Sequence, residues 1–198
     1  MALLIDIFRC VLIYIHLLLF GCAIALVFWG DLRILRGQMK DSDYAYIGTV
    51  TLRLFLGLWV TGLTIIFLDT GYDPAALLEK PKLLIKLACV FVLSLNAILL
   101  HKVCLELLIK KSTISQMQAL TVSICGALST SHWLMAAFVG SAKMLGQFPL
   151  STLLDLYFLI LGCILLIGIS IAPHMHKRLN KHRGQHALHS VDLHLGDV

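Results

Sequence analysis

Three histidines and one arginine interrupt the apolar runs of this chain: His16, His101, His132 and Arg53. An imidazole in an apolar run can ligate a metal or carry a proton, and an arginine there must find an anion or reach water. His16 lies in the first run and His132 in the fourth. If these runs are helices pointing in opposite directions, both histidines sit roughly 4–5 Å to the same side of the run centres, at 1.5 Å per residue. Two imidazoles at matched depth on antiparallel helices are what axial ligation of a b-type heme requires, so His16 and His132 are candidate heme ligands. Cys125, Ser129 and Ala136 on the His132 face leave room for a flat macrocycle. Lys86 and Arg9, near the same level, are candidates to hold its propionates or another anion. Two plainer readings stay open. Each imidazole bonds a neighbouring helix, and Arg9 and Lys86 pair with Asp6 and Asp155.

A second group lies in the other half of the runs. Arg53, Asn96 and His101 are candidates to line a polar cavity or proton path, the signature of a non-catalytic or transporter-like bundle. The alternative is that Arg53 snorkels to the boundary and the His101 ring reaches the headgroups. His174, His176, His182, His186 and His189, with Met175, form a weak donor set for Zn, Ni or Cu ions. The competing reading of that stretch is a basic tail resting on anionic lipid. None of the six cysteines forms a CxxC pair, so they read as small inert thiols within apolar runs. No GxSxG, HExxH, phosphate-binding or dinucleotide-binding motif occurs in a plausible setting. The residues leave open whether the chain is an enzyme.

The elements that must position these residues are long. Apolar runs predict helices over 8–30, 47–69, 82–104, 117–140 and 151–173, each near the ~20 residues needed to cross ~30 Å of hydrocarbon. Gly30-Asp31 should close the first, Asp69–Pro74 the second, and Pro173 the fifth. Hydrophobic residues make up 59% of the 198, and charged residues 14% against about a quarter in soluble domains. The runs are unbroken rather than alternating, which argues against barrel strands. Short connections predict an all-α, antiparallel bundle of five transmembrane helices over 1–173, followed by a His-rich basic tail over 174–198.

Charge sets the expected orientation. Arg33, Arg36, Lys40, Arg53, Lys102, Lys110, Lys111, Lys177, Arg178, Lys181 and Arg183 fall on one side, against Arg9, Lys80, Lys82, Lys86 and Lys143 on the other. This bias predicts an N-out, C-in topology. It also accounts for the net charge of +5 without nucleic acid; the expected partner is the lipid bilayer. Trp29, Tyr44 and Tyr46 at one boundary, and Tyr72 and Tyr157 at the other, read as an aromatic belt. Ala119, Ser123, Ala127 and Ser131 make a small-residue ridge that lets another helix approach closely. Thr49, Arg53, Gly57, Thr61 and Thr64 lie near one face, expected to point into the bundle.

Three segments carry a resemblance. Tyr14-Ile15-His16-Leu17-Leu18 with Asp31-Leu32-Arg33, Lys80-Pro81-Lys82 with Leu95-Asn96 through His101, and Gly126 through Trp133 are together similar to a group of uncharacterised bacterial five-helix inner-membrane proteins. The resemblance covers most of the apolar part and implies a multi-pass protein of the bacterial inner membrane, with no assigned activity. A first-span histidine and a lysine opening the third span also resemble the membrane-bound protoporphyrinogen oxidases and copper-resistance D proteins. In the oxidases that histidine serves heme and the lysine activity; His16, and Lys82 or Lys86, are the matching positions, although the flanking residues depart from the pattern. The resemblance implies a heme-binding or redox membrane protein.

Overall fold

The computed structural model describes residues 2–36, 38–39, 41–110 and 113–195. Its helices are α1 (Ala2–Arg36), α2 (Asp41–Thr70), the short α3 (Pro74–Leu78), α4 (Pro81–Leu99), α5 (Leu105–Lys110), α6 (Gln116–Ser141) and α7 (Leu150–Leu195). A π-helical turn, Leu100–Cys104, joins α4 to α5, and a 3-10 turn, Lys143–Gln147, follows α6. Five segments are long and apolar enough to cross a membrane: Leu3–Arg36, Ser42–Thr70, Pro81–Leu108, Gln116–Ser141 and Leu150–Lys181. No strand occurs among the described residues.

Local chemistry explains where these helices start and stop. At the end of α2, Gly71 and Tyr72 take φ of 60° and 62°, and the Gly71 N–H returns to the Phe67 carbonyl at 2.8 Å. Asp73 then caps α3 by accepting from the Ala75 N–H at 3.1 Å, with Pro74 at the first helical position. Ser115 and Gln118 form a reciprocal capping box at the start of α6. Two predicted stops do not act. Gly30 leaves α1 intact to Arg36, because one interior glycine costs only about 1 kcal/mol, and Ile47 of α2 packs over it. Pro173 lies inside α7 rather than ending it. The turns beyond it are held by burial of Met175 and Leu179, which offsets the lost backbone hydrogen bond.

Pairwise contacts establish an antiparallel order. Arg9 meets Asp69 at one end of α1–α2, and Arg33 meets Asp43 at the other. Lys82 reaches Ala142, and Asn96 reaches Cys125, along α4–α6. His132 meets Tyr157, and Ser123 meets Met175, along α6–α7. The bundle therefore has an N-terminal end, with the 71–73 turn, α3 and the 3-10 turn, and an opposite end with the α1–α2 connection.

α6 is the hub. Half of its apolar window is buried, against 6% for α7. Gly168 of α7 lies on the Ser123–Ala127 part of its small-residue ridge. The rims of the other helices present large apolar side chains outward, among them Leu4, Phe8, Val60, Phe91, Leu159 and Leu166. That distribution suits a hydrocarbon surround and would be costly in water. The α1–α2 pair and the α4–α6–α7 group pack closely within themselves and touch more sparsely between, chiefly through Phe20, Phe55, Leu93 and Trp133.

Candidate functional site

The cations at the N-terminal end are sorted by what they touch. Arg9 makes a two-pronged bond to Asp69, Nε–Oδ1 at 2.6 Å and Nη2–Oδ2 at 3.1 Å. Its guanidinium is thereby neutralised across α1–α2, and the anion role expected for Arg9 passes to a carboxylate of the chain itself. Lys80 donates to the Asp69 carbonyl at 3.3 Å and Lys82 to the Ala142 carbonyl at 2.9 Å. Lys86 differs. It is half-buried, five residues or about 7–8 Å into α4, and the described residues give it no hydrogen-bond or ion-pair acceptor. The expected pairing with Asp155 is not made; Asp155 is exposed. Lys82, one turn away on the same helix, acts on Lys86 as a like charge.

His16, on α1, lies within electrostatic range of the Lys86 charge. The Thr61 hydroxyl donates to the Gly57 carbonyl at 2.8 Å, so its oxygen accepts from His16 Nδ1–H at 2.7 Å. That assignment leaves Nε2 as the acceptor nitrogen, without a partner among the described residues. The ring packs over Gly62: a Cβ there would meet the imidazole Cε1 at 3.4 Å, an ordinary contact. Lys86, His16 and Thr61 thus come from α4, α1 and α2, where the sparsely joined helix groups face one another.

His132 belongs elsewhere. It is 1% exposed, and both ring nitrogens are used. Nδ1–H donates to the Leu128 carbonyl at 2.6 Å, with the Ser131 hydroxyl 3.2 Å away, and Nε2 accepts from the Tyr157 hydroxyl at 2.7 Å. Tyr157, expected in an aromatic belt, instead locks α7 to α6. The structure does not bring His16 and His132 to one site: the first bonds α2 and the second α7. Beside His132, among Ser131, Met135, Tyr157, Ile160 and Leu161, the cavity volume is about 0 Å³, without room for a water molecule, against the ~300–1,000 Å³ of sites for drug-sized ligands. A bis-histidine heme on this pair does not fit those contacts.

The second expected cluster is corrected too. Arg53 and His101 are exposed on the outside of the bundle, whereas Asn96 is buried against α6. Asn96 Nδ2 donates to the Cys125 carbonyl at 2.9 Å, and its Oδ1 is buried without a partner. The three line no common cavity, because Asn96 is buried between α4 and α6 while Arg53 and His101 are exposed. In the tail, His174 is exposed, Met175 points inward to accept from Ser123 at 3.3 Å, and His176 Nε2 accepts from Asn180 at 3.1 Å. Asn180 also clasps both backbone groups of Ile114, so 174–181 extends the bundle. The side chains of His182, His186 and His189 lie outside the described residues. Among the described residues, no three His, Cys, Asp or Glu side chains converge as metal ligands.

Some contacts have little sequence signal. Asp31, expected at a helix stop, accepts from Thr130 of α6 at 2.9 Å. Thr61 was legible as part of a polar face, but its histidine partner was not. Comparison with known proteins adds no analogy: no protein-family model, curated protein or solved structure matches this chain.

Proposed function

We propose that this is a five-span protein of the bacterial inner membrane, N-out and C-in, whose outer half binds the anionic group of an amphiphilic ligand. Lys86 supplies the charge, and His16, held by Thr61, supplies an acceptor nitrogen within electrostatic range of it. The observation that carries this reading is Lys86: a half-buried cation in an apolar bundle, with another cation as its near charged neighbour and no acceptor among the described residues. A lysine at the centre of a membrane helix costs about 2.5–3.5 kcal/mol on the insertion scale. Lys86 sits short of the centre and escapes part of that cost by reaching outward. An anion from outside the chain offsets the rest, which is the role left open once Arg9 is paired. The distribution of lysine and arginine supports the orientation, and the apolar rim supports the membrane setting.

The test uses a fluorescent fatty acid and its methyl ester, titrated into purified protein in lipid nanodiscs. A charge-assisted hydrogen bond is worth about 1.5–3 kcal/mol, so Lys86→Gln should weaken binding of the acid about tenfold or more. The ester should bind wild type as weakly as the acid binds the variant. Equal binding of the acid to both proteins would refute the site. A visible spectrum of the same preparation separates ligand types. A Soret band lost in His16→Ala but kept in His132→Ala identifies a tetrapyrrole held by His16 alone, whereas a colourless protein identifies another amphiphile.

A further inference from the structure

At the opposite end of the bundle α7 runs on past Pro173. One face of this last stretch is fixed inward. Ala172, Met175 and Leu179 are buried, the latter two in one apolar cluster with Met39, Tyr44 and Leu108, and Asn180 holds the Ile114 backbone at 2.9 and 3.0 Å. The opposite face is basic. His174, Lys177, Arg178 and Lys181 are all exposed, and their spacing of three and four residues puts them on one stripe of the helix. Among the described residues Lys177, Arg178 and Lys181 meet no carboxylate, and α7 itself carries no acidic residue between Asp155 and Asp192. The stripe continues one that begins among the apolar side chains. Leu159, Leu166 and Ser170 are exposed and lead to His174 at steps of seven, four and four residues, so a single outward face passes from apolar to basic. Counted from the exposed Asp155 at 1.5 Å per residue, His174 to Lys181 lies about 28–39 Å along the helix, across the far edge of a ~30 Å hydrocarbon core and into the headgroups.

We propose that His174, Lys177, Arg178 and Lys181 bind the phosphate groups of anionic phospholipids in the leaflet at this end of the bundle. Lysine and arginine donate charge-assisted hydrogen bonds to phosphate oxygens, and their long stems carry the charge to the headgroups from a backbone at the hydrocarbon edge. The occupant is a lipid and not a soluble anion because the same face of α7, two turns earlier, presents Leu166 outward at 67% exposure. Met175, Leu179 and Asn180 hold the inward face against the bundle, so the four side chains share one side of the helix before any lipid binds. The proposal needs the membrane setting and not the Lys86 site, which lies at the other end.

The experiment titrates full-length protein in detergent with phosphatidylglycerol that carries a pyrene on one acyl chain, read by energy transfer from Trp29, Trp59 and Trp133. Unlabelled lipids then compete. A cation beside anionic lipid is worth about fivefold in affinity, so wild type should prefer phosphatidylglycerol to phosphatidylcholine by at least about tenfold and at most roughly a hundredfold. Lys177→Gln/Arg178→Gln/Lys181→Gln should lower that preference to about threefold or less, whereas Lys177→Arg/Lys181→Arg keeps the charge and should retain it. Arg178→Gln alone should cost about fivefold, a reading independent of how the triple variant folds. Lys86→Gln should keep the preference whether or not it loses fatty-acid binding, which separates the two sites. An undiminished preference in the triple variant, or its loss in Lys86→Gln, would overturn the proposal. Displacement of the labelled lipid by inorganic phosphate or a DNA oligonucleotide as readily as by phosphatidylglycerol would assign the stripe to a soluble ligand and overturn it too.

Discussion

The sharpest test of the packing is Gly168→Ala. A Cβ built at Gly168 would stand 2.6 Å from the Ala127 Cβ and 3.2 Å from the Ser123 carbonyl oxygen, where ordinary contact begins near 3.4 Å. Neither obstacle can swing away, since one is a Cβ and the other backbone, so α6 and α7 must part locally by about 0.8 Å (3.4 less 2.6). Overpacking of this kind costs about 1–3 kcal/mol. The better helix propensity of alanine returns at most about 1 kcal/mol. The net expectation is a loss of roughly 1–2 kcal/mol, read as a lower melting temperature in detergent by the fluorescence of Trp29, Trp59 and Trp133. Ala127→Gly removes the 2.6 Å contact and keeps the 3.2 Å one, so the double variant should recover part of the loss. A coupling energy of at least about 0.5 kcal/mol is expected. Gly162→Ala is the control on the same helix, because nothing lies within 4 Å of its Cβ position, and it should melt at or slightly above wild type. If Gly168→Ala melts like wild type, or Ala127→Gly gives no coupling, the close α6–α7 crossing is refuted.

Two further outcomes follow from the hydrogen bonds. Tyr157→Phe removes the donor to His132 Nε2 and leaves a buried acceptor unpaired, which should cost about 1–3 kcal/mol in the same melting assay; an unchanged melting temperature would break the α6–α7 lock. Asp69→Asn removes the partner of Arg9, but that pair is well exposed to its surroundings, so the loss should stay below about 1 kcal/mol. A larger drop would show that the pair is far better shielded than its geometry implies.

Much of the candidate site was legible before the fold, and the reason for the rest is specific. Lys86 and His16 stand out because a charge and an imidazole in apolar runs are costly enough to be conspicuous. Their separation from His132 was not legible. Matched depth along two helices says nothing about rotation about their axes, and a rotation decides whether two rings face each other or face different neighbours. The same holds for Arg53, Asn96 and His101, similar in depth but divided between the outside of the bundle and the α4–α6 contact. Arg9 and Asp69 were both visible, yet their pairing needed the α1–α2 hairpin to close.

By itself the sequence determined the class of this protein: five long apolar runs, their helical state, their antiparallel order and the ridge on which α7 crosses α6. Those properties depend on length, hydropathy and residue size, which are additive along the chain. Tertiary structure decided that, among the described residues, Arg9 pairs with Asp69 while Lys86 meets no acceptor, that His16 keeps a free nitrogen while His132 uses both, and that the helix runs on through Pro173. Those outcomes depend on the relative rotation of packed helices, a property that belongs to pairs of elements and not to either one alone.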